Sequence, residues 1–440
     1  MKDKLHKLCI FPQTTGVDNR NHLIVGGCDT VELAATFGTP LYVFDETTLR
    51  NKCLEYRHEF SQRYPDTLVI YACKAFINPA LALLLKEERL GLDVVSSGEA
   101  SIARSVSFPL ERVYFHGNNK THEELAQSLE WGIGHIVVDN FHELKLLSKL
   151  AKEKGIMQNI LLRLSPGVDP HTHKYTTTGT INSKFGFPIA TGQAEEALTI
   201  AMASPNINLL GLHFHLGSPI FDVKPYQEAI EIVLNFAFQM KEKHRFELKE
   251  FSPGGGYAIQ YILDSPAPPT SDYADAITSA LLEQIEKLKL TPPRLIVEPG
   301  RAIVGQAGIA LYRIGAAKDI PGVRKYIFID GGMGDNIRPA FYSSKYEALI
   351  ANKAGEEETE QVTVAGKFCE SGDVLIQKTR LARVEANDIL AVPACGAYSL
   401  PMASNYNGFL KPAIVLVNDG QARLIHRRET YEDLIRCDLF

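Results

Sequence analysis

The chain has little that would tie it to a membrane, a disulfide framework or a nucleic acid. Its apolar runs fall short of a bilayer span, so no transmembrane helix is expected. The opening residues, MKDKLHKLCIFPQTTG, lack the apolar core of a secretory signal. Seven cysteines are scattered through 440 residues with no C-x-x-C pair. That pattern points to reduced thiols in the cytoplasm and away from a disulfide framework or a structural zinc site. No Lys/Arg-rich block stands out and the net charge is −6, which argues against nucleic acid or an anionic membrane as partner. What is present is an ordinary soluble balance, 45% hydrophobic and 22% charged, in a chain long enough for two or three domains.

Eight apolar, β-rich runs recur between residues 67 and 301: 67–75, 91–97, 112–117, 135–140, 159–166, 209–218, 247–256 and 294–301. Their continuous apolar character suits strands buried on both faces of a parallel sheet. Helical patterns such as GEASIARSV, THEELAQSLEW and NFHELKLLSKLAKEKG lie between them. Alternation of this kind predicts a (β/α)8 TIM barrel over residues 43–301. After about residue 302 the texture changes to strands joined by turns, as in IALYRIGAAKD, KYIFIDGG, EQVTVAGKFC and DILAVPACGAY. A C-terminal all-β domain is expected over 302–440. The segment 1–42, with HLIVGGCD, is expected to add short strands to that sheet.

Chemistry in such barrels sits at the C-terminal ends of the strands, and here those ends are polar. Lys74, in YACKAFINPAL, closes the first run. Asp93, Ser96 and Ser97 fall in the second, His116 and Asn118 after the third, and Asp139 and Asn140 after the fourth. Arg163, Ser165, His213, His215 and Ser218 follow. The glycine triplet Gly254, Gly255 and Gly256 and the EPGR run with Glu298 and Arg301 complete the rim. Taken singly, most of these are better read as satisfied core groups or, for Lys74, a snorkelling side chain. Their joint placement is harder to explain by packing. A lysine near an apolar strand end can act as an amine nucleophile. A glycine run lets backbone N–H groups approach an anion. Ser218 could add a hydroxyl to the same anion, and an imidazole at His215 could stack on a flat ring. Glu298 could pair with a protonated ring nitrogen. Together these are the requirements of pyridoxal phosphate.

The sequence resembles the diaminopimelate decarboxylases, within the alanine-racemase-like (fold type III) pyridoxal-phosphate decarboxylases. The resemblance rests on YACKAF, GLDVVSSGE, GVDPHTHKYTTTG, SKFGF, HFHLGS, PGGG, EPGR, DGGMGDNIRPAFY, CESGD and GAYSLPMASNYNGFLKPAIVLV, in that order over roughly residues 40 to 417. It implies that Lys74 is the Schiff-base lysine and His215 the ring-stacking histidine. It implies phosphate contacts from Ser218, Gly254, Gly255, Gly256 and Tyr398, and a ring-nitrogen partner in Glu298. Arg301, Arg338 and Tyr342 match substrate-carboxylate contacts. Cys369 and Glu370 match a pair that a second subunit inserts, so a homodimer with shared active sites is implied. Cys369 would be the proton donor and Glu370 the partner of a distal ammonium. Phe76, Pro219 and the Ser252-Pro253 pair depart from the common pattern.

The activity implied is decarboxylation of meso-2,6-diaminopimelate to L-lysine and CO2, the last step of lysine biosynthesis. Two arginines and a glutamate suit a substrate with a distal carboxylate and amine better than ornithine. A sister decarboxylase acting on ornithine, arginine, a D-amino acid or a carrier-bound amino acid is the nearest rival, because those enzymes share the cofactor residues. A metal-dependent hydrolase using the pairs His171/His173 and His213/His215 is a more distant one, and a pyridoxal-phosphate carrier without enzymatic activity is more distant still. No resident metal is expected.

Overall fold

The computed structural model describes residues 2–169, 178–180 and 182–439. They fall into two units, Cys53–Ala258 with Ala267–Gly300, and Met1–Lys52 with Ile259–Pro266 and Arg301–Phe440.

The first unit is a closed barrel. Its strands are β1 (Thr67–Ala72), β2 (Gly91–Val94), β3 (Val113–Phe115), β4 (His135–Val138), β5 (Gln158–Ser165), β6 (Ile207–His213), β7 (Glu250–Ser252) and β8 (Arg294–Val297). Each pairs in parallel with the next, and β8 returns to β1 with Leu295 opposite Thr67. Ile70, Tyr114, Val137, Leu161 and Ile296 fill one buried layer of the interior, which makes the barrel a packed core. All eight expected strands are present. Helices alternate with them, and their starts explain part of the polar rim. Ser96 accepts the Glu99 N–H at 3.2 Å and Asn140 accepts the Glu143 N–H at 3.0 Å. Thr121 and Glu124 form a reciprocal capping box. These side chains satisfy orphan donors of the first helical turn. For Ser96 and Asn140, then, strand-end placement reflects helix capping.

The second unit is built on a sheet that includes the expected C-terminal strands. Its N-terminal contribution is Leu41–Asp45, fully buried, antiparallel to Gly308–Ile320 on one side and parallel to Ala413–Asn418 on the other. The short strands expected to join that sheet, Gly16–Val17, Leu23–Val25 and Cys28–Asp29, instead pair with one another in a sheet of their own. Tight turns link them, so local pairing wins over a distant edge. Leu23 and Val25 still pack in the core with Leu41, Ile309 and Val415. Val374–Leu381 is a strand the sequence reading does not single out, and its burial does not alternate regularly. Among the described residues no helix is long and apolar enough to cross a membrane, and no disulfide joins any of the seven cysteines.

Candidate active site

Within the barrel unit, Glu298 lies directly after β8 and is the centre of a buried polar group. Its Oε1 accepts the Ser252 hydroxyl at 2.7 Å, and its Oε2 faces His213 Nε2 at 3.3 Å. His116 Nε2 stands 3.7 Å from both Glu298 Oε1 and Asp93 Oδ1. Burial alone would raise the Glu298 carboxyl, but the imidazoles of His213 and His116 and the bonds from His213 and Ser252 outweigh it. The group is held below the ordinary carboxylate range. Burial lowers His213 and His116. The carboxylate's direction decides: with the Ser252 hydroxyl donating to Oε1 and His213 Nε2 facing Oε2, Glu298 is held ionised. Asp93 goes the other way: burial first, then the Glu298 charge, raises it well above the usual range. The two neighbouring carboxyls are thereby pushed in opposite directions, Asp93 up and Glu298 down.

Lys74 sits in the single turn Cys73–Ala75 that follows β1. It is exposed, while Cys73 and Ala75 on either side are buried. It has no hydrogen bond or ion pair among the described residues. Its charge opposes burial at Asp93 and Glu99 and adds to burial in lowering His215 and His213, so the amine faces this group. His215 lies two residues beyond β6. Its Nδ1 accepts the Gly255 N–H at 3.3 Å, which leaves the ring proton on Nε2. Burial and the Lys74 charge lower it well below its ordinary value. Ser218 is partly buried in the same loop.

The glycine run after β7 admits no side chain. A Cβ on Gly255 would stand 2.0 Å from the Glu298 carbonyl oxygen, and one on Gly256, at φ +113°, 2.3 Å from that of Gly217. Only glycine fits such an approach. The N–H groups of Gly256 and Tyr257 have no partner among the described residues, and Gly256 is partly exposed. An amine, an ionised buried carboxylate, a histidine ring and a cradle of open N–H groups fit pyridoxal phosphate. His116 Nε2 and Asp93 Oδ1 are also buried without a hydrogen-bond partner. His116, His213 and Glu298 offer ligand atoms within 4.8 Å of one another, but the Glu298 oxygens already accept from Ser252 and His213. The pair His171 and His173 lies outside the described residues, as does most of GVDPHTHKYTTTG.

The second unit holds the remaining candidates. Arg301 and Arg338 are buried among tyrosines. Arg301 Nη1 donates to the Tyr261 hydroxyl at 2.5 Å, and its guanidinium lies 4.7 Å from the Tyr398 ring centroid. Arg338 donates to the Tyr346 hydroxyl at 2.9 Å and to Ser344 at 3.2 Å, and lies 5.8 Å from the rings of Tyr342 and Tyr398. No carboxylate pairs with Arg338 among the described residues. Tyr398 has φ +60°, a left-handed backbone that favours glycine and that side chains adopt at a cost. Cys369 and Glu370 are exposed on a separate loop, not bonded to this cluster among the described residues. The Cys369 N–H donates to Asn407 Oδ1 at 2.8 Å. Asp373 fixes the loop by accepting the N–H groups of Phe368 and Met333 at 2.9 and 2.7 Å. The sequence reading passes over Tyr261, Tyr346 and Asp373, and it marks Ser252 only as a departure before the glycines, without its bond to Glu298. For Asp373 the D of CESGD is the available signal.

Residues 47–305 match the family described as pyridoxal-dependent decarboxylase, pyridoxal binding domain. The chain belongs to the pyridoxal-dependent decarboxylases: it is a carboxy-lyase whose cofactor is pyridoxal phosphate. It is 45% identical over 426 residues to a diaminopimelate decarboxylase of Bacillus subtilis, covering 97% of each chain. It is 36% identical to the crystal structure of diaminopimelate decarboxylase from M. jannaschii in complex with L-lysine, at a TM-score of 0.91 and covering 97% and 98% of the two chains. Within the class, it is a member of the diaminopimelate decarboxylase family. A lysine/ornithine decarboxylase from Vibrio vulnificus, at 21% identity and a TM-score of 0.75, shares the fold.

Proposed function

We propose that the protein decarboxylates meso-2,6-diaminopimelate to L-lysine and CO2, with the residues of the site in the following roles. Lys74 supplies the amine that holds the cofactor carbonyl. Gly254, Gly255, Gly256, Ser218 and Tyr398 hold its phosphate, His215 lies on its ring, and Glu298 accepts from its ring nitrogen. Bound pyridoxal phosphate supplies an electron sink for the carbon from which the carboxylate departs. The ionised state of Glu298 keeps the ring nitrogen protonated, which deepens that sink. Arg301, Arg338 and Tyr342 bind the carboxylate that the product keeps. Cys369 gives a proton from its thiol to the reacting carbon, and Glu370 takes the distal ammonium.

The observation that carries the choice of substrate is Arg338, a buried guanidinium with hydroxyl partners and, among the described residues, no carboxylate. A buried cation without a counter-charge favours an anionic ligand. Ornithine offers no second carboxylate. The exposed loop of Cys369 and Glu370 supports a homodimer in which each subunit lends this loop to its partner. The absence of disulfides among the described residues supports a cytoplasmic location.

The test is release of lysine from meso-diaminopimelate, run beside ornithine, arginine and a D-amino acid. Lysine should appear, with the rival substrates turned over far more slowly. Borohydride reduction and peptide mapping should place the cofactor on Lys74. Faster turnover of ornithine, or a label on another lysine, would overturn the assignment.

A further inference from the structure

The glycine run after β7 is held from behind by tyrosines. Tyr226, Tyr257 and Tyr273 are 0%, 1% and 0% exposed. Their rings pack on one another at centroid distances of 6.0, 5.1 and 6.2 Å. Phenylalanines would fill this volume as well, so packing does not explain the hydroxyls. A buried hydroxyl needs a partner, and here the partners converge. The Tyr226 hydroxyl donates to the Gly255 carbonyl at 2.8 Å. That of Tyr257 donates to the Gly254 carbonyl at 3.2 Å, which also accepts the Glu298 N–H at 3.2 Å. That of Tyr273 donates to the Ile220 carbonyl at 2.5 Å and accepts the Ala258 N–H at 3.1 Å. Ile220 in turn donates its N–H to the Gly256 carbonyl at 2.8 Å.

Each of the three glycine carbonyls is therefore drawn into the protein by a donor. In a planar trans peptide the C=O and the next N–H point in opposite directions. Holding the carbonyls of Gly254, Gly255 and Gly256 turns the N–H groups of Gly255, Gly256 and Tyr257 the other way. The first goes to His215 Nδ1. The other two are the open pair. We propose that Tyr226, through the Gly255 carbonyl, is a positioning residue that aims the Gly256 N–H at the cofactor phosphate, and that Tyr273, through Ile220 and the Gly256 carbonyl, supports the Tyr257 N–H in the same way. The proposal rests on the reading of the glycine run as the phosphate cradle.

The test is Tyr226→Phe, which removes one oxygen and keeps the ring. The full chain, stripped of cofactor, is titrated with pyridoxal 5'-phosphate, with pyridoxal, and with inorganic phosphate as competitor. Affinity for pyridoxal phosphate should fall roughly tenfold, the scale of one lost hydrogen bond acting through a charged ligand. Phosphate should compete more weakly by a similar factor, and pyridoxal should bind as before. Equal weakening of both pyridoxal forms, or no change in either, would overturn the proposal. Tyr273→Phe, which releases the Ile220 carbonyl and so loosens the residue that holds the Gly256 carbonyl, should give a smaller loss of the same selective kind and serves if the first variant does not fold; a non-selective loss there overturns the proposal equally. If the unaltered protein itself binds the two pyridoxal forms equally, the cradle reading fails, and the proposal fails with it for a separate reason.

Discussion

Replacing Glu298 by glutamine is the most informative change in the barrel. The amide has the same shape, and its oxygen can still accept the Ser252 hydroxyl now at 2.7 Å from Oε1. The fold should survive. What goes is the negative charge, held ionised by His213, His116 and Ser252 against the pull of burial. The loss is that of one charge-assisted hydrogen bond to the ring nitrogen, about 1.5–3 kcal/mol in a buried site. At 1.36 kcal/mol per factor of ten, that is a fall of roughly 10- to 150-fold in kcat/KM. The assay is steady-state lysine release at saturating cofactor, with cofactor occupancy read by absorbance so that weaker binding is separated from slower chemistry. The Asp93 carboxyl supplies a second readout. Burial raises it first and the Glu298 charge second, so in Glu298→Gln it should titrate lower than before while staying above the ordinary range. Turnover within twofold of the unaltered protein, at full occupancy, would remove Glu298 from the electronic role.

Two further outcomes follow from buried charges elsewhere. Lys120 and Glu143 have side chains only 1% and 2% exposed and pair at 2.8 Å, with Lys120 also donating to the carbonyls of Gly117 and Val137. Glu143→Leu should cost about 3–5 kcal/mol in urea unfolding of the barrel, whereas Lys120→Met with Glu143→Leu should restore most of it; equal losses would refute the pairing argument. Asp335 is buried and its carboxyl is pushed up to about 6 by burial, against hydrogen bonds from Tyr312, Gly332 and Tyr42. A raised folded pKa means the folded chain binds the proton more tightly than the unfolded chain, so stability falls as pH rises from 3.8 to about 6 and the penalty is complete above it. The difference amounts to roughly 3 kcal/mol, and Asp335→Asn should remove that slope; an unchanged pH dependence in the variant would sink it.

The barrel strands are legible because each is an apolar run buried on both faces, a local property that a sequence carries openly. Partner choice is not local. Leu23–Val25 reads as a strand, but nothing in those residues says whether its neighbour is Gly16–Val17 or the edge of a larger sheet. Leu41–Asp45 is the N-terminal strand that enters the large sheet, and its neighbours lie hundreds of residues away, as in the pairing of Leu41 with Leu311 and Ala413. Val374–Leu381 is not legible as a strand because its irregular burial masks the period of two.

The site divides along a similar line. Lys74, His215, the glycines and Glu298 stand out because their residue types match the chemistry of a ligand they would face. The polar rim overstates the site, since Ser96 and Asn140 serve helix starts with the same residue types. The residues that aim the site run the opposite risk. Tyr226 acts through the carbonyl of Gly255, 29 residues along the chain, and in the sequence it is one more aromatic in an apolar helix face. Ser252 reads as an irregularity before the glycines until Glu298 is seen beside it. A group that meets the cofactor is constrained in kind, so its identity betrays it. A group that positions such a residue is constrained only in where its hydrogen bond ends, and that endpoint exists only once the chain has folded.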